Sequence, residues 1–218
     1  RLEAAENFTD ELHQIIKTTI KDHKRIIFNG NNYTEEWEKE AEKRGLSNLK
    51  TTADALPGFK TEKSIALFEK HHIFTRTEVL SRYEILVENY CKVLNIEALT
   101  MIDMAKKNII PACEKYTGMI AKTAAAMKAV GVSAPAETAA LERLSSLMLA
   151  MYNRTDALEK VSIDMKSFSD NTALSCYCRD TLIPAMNALR EVADELETIV
   201  GEDYWPYPTY GSLLFGVC

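Results

Sequence analysis

Glycine is scarce in this chain, with 8 in 218 residues, and proline is scarcer, with 6. With so few helix breakers, and no long alternation of apolar and polar residues to make a half-buried strand, helix is the default conformation. Long hydrophobic runs are also missing. None approaches the roughly 20 residues that cross a bilayer, and residues 1–28 mix charge with apolar positions where a signal peptide would not. The expectation is a cytoplasmic chain without a membrane partner. Positive charge is short as well: 26 Lys and Arg stand against 32 Asp and Glu, a net charge of -6. The basic residues are scattered, which disfavours nucleic acid, where affinity is built from many phosphate contacts. No phosphate-cradling glycine loop, dinucleotide fingerprint or helix-borne pair of zinc histidines occurs.

What is present is ordinary globular material, 46% hydrophobic and 27% charged, enough to form a core. Five cysteines, Cys91, Cys113, Cys176, Cys178 and Cys218, make an odd set without framework spacing and read as reduced thiols. The chain opens on Arg1, not Met, and so reads as a fragment of a longer polypeptide.

The few breakers locate the helices. Phe8, Leu12, Ile15, Ile16, Ile20 and Ile27 lie along one side of a first helix over residues 2–28, which Asn29-Gly30-Asn31-Asn32 ends. Thr34 opens a short polar helix closed by Gly45, and residues 46–60 read as a connecting stretch. Thr61 starts another short helix to about His71, and Thr75 with Glu78 forms a capping box. The helix behind it carries Val79, Tyr83, Leu86, Tyr90 and Val93 as a packing seam. A long helix follows over 96–130, its seam running through Ala98, Ile102, Ala105, Ile109, Ala112, Tyr116, Met119, Thr123, Ala126 and Val130 to Gly131. Pro135 suits the first turn of the next helix, whose face is Leu141, Leu144, Met148, Met151, Thr155, Leu158 and Met165. A last helix presents Leu182, Ala185, Leu189, Val192, Leu196 and Ile199. Heptad-like seams joined by short turns predict an all-α fold, an antiparallel bundle of long helices preceded by shorter ones.

Two prolines sit in the same local context, Ile109-Ile110-Pro111-Ala112 and Leu182-Ile183-Pro184-Ala185. Each removes a helix hydrogen bond and should kink or break its helix. Residues 202–218 are different material: Pro206 and Pro208 oppose helix, while Tyr204, Trp205, Tyr207, Tyr210 and Phe215 carry large apolar area. Such an irregular aromatic tail must be covered, by its own bundle or by another domain or subunit. Tyr204, Trp205, Pro206, Tyr207, Tyr210 and Phe215 are therefore the candidate packing or interface residues.

Chemistry is thinly represented. Glu69 with His72, spaced as in di-iron bundles, and Asp10 with His13 are the best metal pairs, yet a dinuclear site needs further inward carboxylates. The seams carry Ala, Ile, Leu, Met and Tyr in their place, so helix-surface pairs are the better reading. Cys176 and Cys178 point to different sides of a helix and suit neither a shared metal nor a mutual disulfide. His13, His23, His71 and His72 have no context that turns a thiol into a nucleophile. The sequons at Asn7, Asn32 and Asn153 read as chance. No residue is assigned as catalytic, cofactor-binding or metal-ligating.

Several long strings stand out: Tyr-Thr-Glu-Glu-Trp from Tyr33, Glu-Lys-Arg-Gly-Leu from Glu42, Glu-Lys-Ser-Ile-Ala-Leu-Phe-Glu-Lys-His from Glu62 and Ser-Arg-Tyr-Glu-Ile-Leu-Val-Glu-Asn-Tyr from Ser81. Asn-Ile-Glu-Ala-Leu-Thr-Met from Asn95, Asp-Thr-Leu-Ile-Pro-Ala-Met-Asn-Ala-Leu-Arg from Asp180 and Tyr-Trp-Pro-Tyr-Pro-Thr-Tyr-Gly from Tyr204 complete the set. Together, and in this order, they resemble the C-terminal portion of the type III glutamine synthetases. The resemblance implies a parent enzyme that joins ammonia to glutamate with ATP, through a γ-glutamyl phosphate held by Mg or Mn, in double-ring homo-oligomers. It implies that the catalytic motifs lie upstream, so the isolated chain is expected to be inactive, with its own catalytic domain and neighbouring subunits as partners. The expected organisation is a single helical domain over 1–218: connecting helices in 1–60 that lean on this bundle or on the catalytic domain, a bundle in 61–201, and the tail in 202–218. An independent helical interaction module is the alternative.

Overall fold

The computed structural model describes residues 2–216, with the side chain of Tyr210 outside that description. All regular structure among the described residues is helical. The chain divides into two compact units, Arg1–Lys50 and Thr51–Cys218.

In the first unit the Asn7 side chain accepts hydrogen bonds from the amides of Thr9 and Asp10. That cap starts α1 (Phe8–His23) six residues later than the apolar spacing predicted, and leaves Leu2–Ala4 as a separate 3-10 turn. A further 3-10 turn, Lys24–Ile26, follows. Helix α2 (Glu35–Lys43) begins after Thr34 as expected. It ends on Gly45, whose φ of 68° lets the Leu46 amide reach back to the Ala41 carbonyl. Arg44 organises the unit: it pairs with Glu40 at 2.5 Å, donates to the carbonyls of Arg25 and Ile27, and lies over Phe28, which itself stacks at 4.9 Å on Trp37. Ala41 is the one buried residue of this stretch among those described.

The second unit opens with α3 (Thr52–Ala55), capped by Thr51, and a 3-10 turn over Leu56–Lys60. Part of the expected connecting stretch is thus helical, and Leu56 and Phe59 pack on the core. Helix α4 (Glu62–Lys70) is capped by Thr61 and ends at His72, left-handed at φ 54°, so that the Ile73 amide reaches the Phe68 carbonyl. The Thr75–Glu78 capping box forms as predicted and starts α5 (Arg76–Met104). This helix runs straight through residues 94–96, where the sequence reading ended one helix and began another. Nothing there breaks helix; Asn95 faces a neighbour and accepts a hydrogen bond from the Ser162 hydroxyl at 3.3 Å.

A π turn over Ala105–Ile109 then leads into α6 (Ile110–Ala129), and Gly131, at φ 82°, ends it. Helix α7 (Pro135–Asp164) places Pro135 in its first turn. Helix α8 (Asn171–Tyr177), capped by Asp170, passes through a second π turn, Cys178–Leu182, into α9 (Ile183–Glu197). Helix α10 (Tyr210–Phe215) lies within the tail.

The two π turns explain the paired prolines. Pro111 and Pro184 have no amide hydrogen, and in a regular helix each ring would collide with the carbonyl four residues back. Widening the preceding turn by one residue moves that carbonyl away. The Ile110 amide then bonds the Ala105 carbonyl, and the Ile183 amide that of Cys178. The expected kink or break is realised as a wide turn within a continuing helix.

Cross-helix bonds fix the antiparallel order. Tyr152 on α7 donates to Glu114 on α6 at 2.8 Å, Lys106 pairs with Glu159, and Ser162 meets Asn95. On the other side of α7, Arg143 pairs with Glu195 and the Tyr177 hydroxyl donates to the Val161 carbonyl. The seams of α7 and α9 fall where predicted: Leu144, Met148, Met151, Thr155, Leu158, Leu182, Leu189 and Leu196 are all buried. The first half of α5 departs from prediction. Its buried stripe advances by fours through Val79, Tyr83, Val87 and Cys91, while Leu86 and Val93, on the expected four-three seam, are 45% and 43% exposed. A stripe stepping by four stays on one ridge of the helix and drifts round its axis, as ridge-in-groove packing demands and a heptad seam does not. The far end of α6 opens likewise, with Val130 exposed.

Candidate functional site

Beyond α9 the chain turns back on itself, the Gly201 carbonyl accepting from the amides of Tyr204 at 2.9 Å and Trp205 at 3.1 Å. A Cβ on Gly201 would stand 3.3 Å from the Tyr116 ring, a close approach that favours glycine. Tyr204 meets that ring edge-on at 5.4 Å between centroids, an arrangement worth about 0.5–1.5 kcal/mol beyond the area it covers. Tyr204, Trp205 and Tyr207 pack against the core, and Pro206 is half-buried between them. The tail's second half behaves differently. Thr209 caps α10, on which Leu213, Leu214 and Phe215 are 66%, 70% and 81% exposed. The candidate packing residues thus split: Tyr204 to Tyr207 are used within the unit, Phe215 is presented to solvent, and the Tyr210 side chain lies outside the described atoms.

The docked half of the tail covers a cavity of about 210 Å³. Met101, Met104, Ala105 and Ile109, from the end of α5 and the first π turn, form one wall, and Met151 of α7 forms the floor. The opposite side is α9, with buried Leu189 and half-buried Ala193 inside and the exposed Arg190, Asp194 and Glu197 at the rim; Trp205 and Tyr207 line the pocket from the tail, and it stays open to solvent. Burial, and after it the Asp103 carboxylate, raise the Tyr207 phenol above its ordinary pKa.

The second π turn is filled. The Cys91 thiol donates to the Asn171 carbonyl at 3.9 Å, and burial pushes Cys178 up to about 12 and raises Cys91. Cys113, on α6, is pushed up to about 11 by burial. The described cysteines are free of disulfides, and thiols so disfavoured as thiolates are poor nucleophiles. Beside them Arg179 pairs with Asp54 at 2.5 Å and Asp180 at 2.6 Å, tying the turn to α3.

The metal pairs do not assemble. Glu69 accepts from the Arg76 amide at 3.1 Å, His72 ends α4, and Asp10 is part of the first turn of α1. Among the described residues no three His, Cys, Asp or Glu side chains come together as a metal site. Asn7, read as a chance sequon, is the α1 cap. The cavity residues Met101, Met104, Arg190, Asp194 and Glu197 were not singled out from the sequence. The repeated Ile-Pro-Ala context was the available signal, since it marks the π turn beside which the cavity opens.

Residues 11–128 match the family described as Glutamine synthetase C-terminal domain. The chain belongs to that family. A glutamine synthetase of Butyrivibrio fibrisolvens is 38% identical over 98% of this chain and 31% of its own length. The type-3 glutamine synthetase of Dictyostelium discoideum is 33% identical over 93% of this chain and 28% of its length, and a glutamine synthetase of Bacteroides fragilis (strain YCH46) is 27% identical over 94% and 29%. The chain therefore spans about a third of the length of these relatives.

Proposed function

We propose that this chain is the non-catalytic helical part of a glutamine synthetase that forms glutamine from glutamate and ammonia with ATP, and that its role is structural, in holding the catalytic portion and the homo-oligomer together. The observation that carries the reading is where apolar surface is spent and where it is left over. The long helices of residues 51–216 bury one face against one another. Large apolar side chains remain uncovered on α1 (Phe8, Ile16, Ile20), on the outer face of α5 (Ile85, Ile96, Leu99) and on α10 (Leu213, Leu214, Phe215), and exposed clusters of this kind are what partner surfaces are made of.

ATP and Mg or Mn belong, on this reading, to an upstream catalytic domain. Among the described residues no three His, Cys, Asp or Glu side chains come together as a site for a divalent ion. No catalytic step is assigned to this chain. The working location is the cytoplasm, with neither nucleic acid nor membrane as partner; no helix among the described residues is long and apolar enough to cross a membrane.

The test is the full-length enzyme carrying Leu213→Ser, Leu214→Ser and Phe215→Ser together, with its mass followed by light scattering and its glutamine-forming activity assayed. Deleting all of 202–218 would also strip Tyr204 and Trp205 from the core, so the triple substitution isolates the exposed half. A smaller assembly supports the role; an unchanged oligomer with unchanged activity defeats it for the tail.

A further inference from the structure

The cavity under the tail has two properties that together select a ligand. Its interior is apolar and soft, with three methionines, Met101, Met104 and Met151, facing Trp205. The pocket, about 210 Å³ and open to solvent on one side, has room for an aromatic ring with a short side chain. Methionine lining adapts to such a body, and its sulfur gains from aromatic contact.

The rim supplies a charge of one sign. Arg190 is neutralised by Asp194 at 3.4 Å, and Asp103, which faces Tyr207, by Lys107. Glu197 is left at the mouth as a carboxylate with no ion pair among the described residues. Aromatic faces and an uncompensated carboxylate at the edge of an apolar pocket are the recognition chemistry of an organic cation.

We propose that this cavity binds a small organic amine in its protonated form: the body, about the size of one aromatic ring, enters between the methionines and Trp205, and the ammonium stays at the mouth against Glu197. The pocket lies beside the π turn before Pro111, and the short side chains of Ala105 and Ala193 leave room on its facing sides. Nothing in this site depends on the ligase assignment.

Full-length protein would be titrated by calorimetry with phenethylammonium, its neutral counterpart 2-phenylethanol and the anion phenylacetate. The ammonium is expected to bind about five- to tenfold more tightly than the alcohol, the contribution of one carboxylate at a solvent-facing mouth, and phenylacetate not at all. Ala193→Leu and Met104→Phe, which fill the space from opposite walls, should each abolish binding of ammonium and alcohol while leaving the thermal midpoint and glutamine formation unchanged. Two fillings are used so that a misfolded variant of one leaves the other decisive. Glu197→Gln should retain the alcohol and erase the preference for the cation. Absence of ammonium binding, equal affinity for alcohol and ammonium in the unaltered protein, or full binding in a folded filled variant overturns the proposal.

Discussion

Residues 2–50 and residues 51–216 are both helical, yet they use apolar side chains in opposite ways. In the larger stretch a connected core runs from Tyr83 to Val200. In the smaller, none of the sixteen residues of α1 is buried, although Phe8, Leu12, Ile15, Ile16 and Ile20 mark one side of it. An isolated helix of that length is marginal in water, since most helix stability in proteins comes from packing an apolar face. The contrast teaches that amphipathic pattern shows where a helix will want cover, and leaves open what supplies it.

The sharpest way to break this contrast is to cut the same amount from each region. Leu144→Ala or Leu158→Ala, both fully buried, should destabilise residues 51–216 by about 2–5 kcal/mol, read by urea denaturation. Ile16→Ala or Ile20→Ala in the isolated chain should change stability by less than about 0.5 kcal/mol; comparable losses at both places would erase the distinction. In the same experiment Cys91, Cys113 and Cys178 should react with a thiol reagent only as the core unfolds, whereas prompt labelling of the native chain would mean the core is open.

Smaller effects sharpen it. Thr75→Ala removes one half of the capping box that starts α5 and should cost about 1 kcal/mol. Arg179→Met breaks the tie from the second π turn to Asp54. Because both partners are partly exposed, the expected loss is small, seen as faster amide exchange in α3. The smallest effect is a pH dependence. Glu78 is held below the ordinary carboxyl value of 4.5, first by the Thr75 amide and then by its hydroxyl. A lowered folded pKa gives stability that is complete above pH 4.5 and lost as pH falls through the folded value. Glu78→Gln should therefore flatten the acid limb of the denaturation midpoint below that pH; an unaltered limb would place the acid sensitivity elsewhere.

Much of the bundle was legible because its signals are local. Thr75 with Glu78, Gly131 and Pro135 each satisfy or forbid a hydrogen bond within one turn, and the α7 and α9 seams follow from spacing alone. Asn7 was passed over because capping and chance look alike in a string of letters. The α5 seam was misplaced because the choice between ridges that step by four and a heptad is made by the helix it packs against. The cavity was not legible, since its walls come from α5, α7, α9 and the tail. Its one sequence trace was the Ile-Pro-Ala context, whose consequence, a wide turn in place of a break, depends on the packing that holds the helix together on both sides.

Amide hydrogen exchange, run on the 218-residue chain alone and on the longer ligase proposed to contain it, tests the division most directly. Slow exchange over α5 to α9 in both samples, with fast exchange of α1 in the isolated chain and marked protection of it in the longer protein, is the predicted result. Equal protection of α1 in the two samples would contradict it, because the apolar face of that helix would then need nothing beyond this chain.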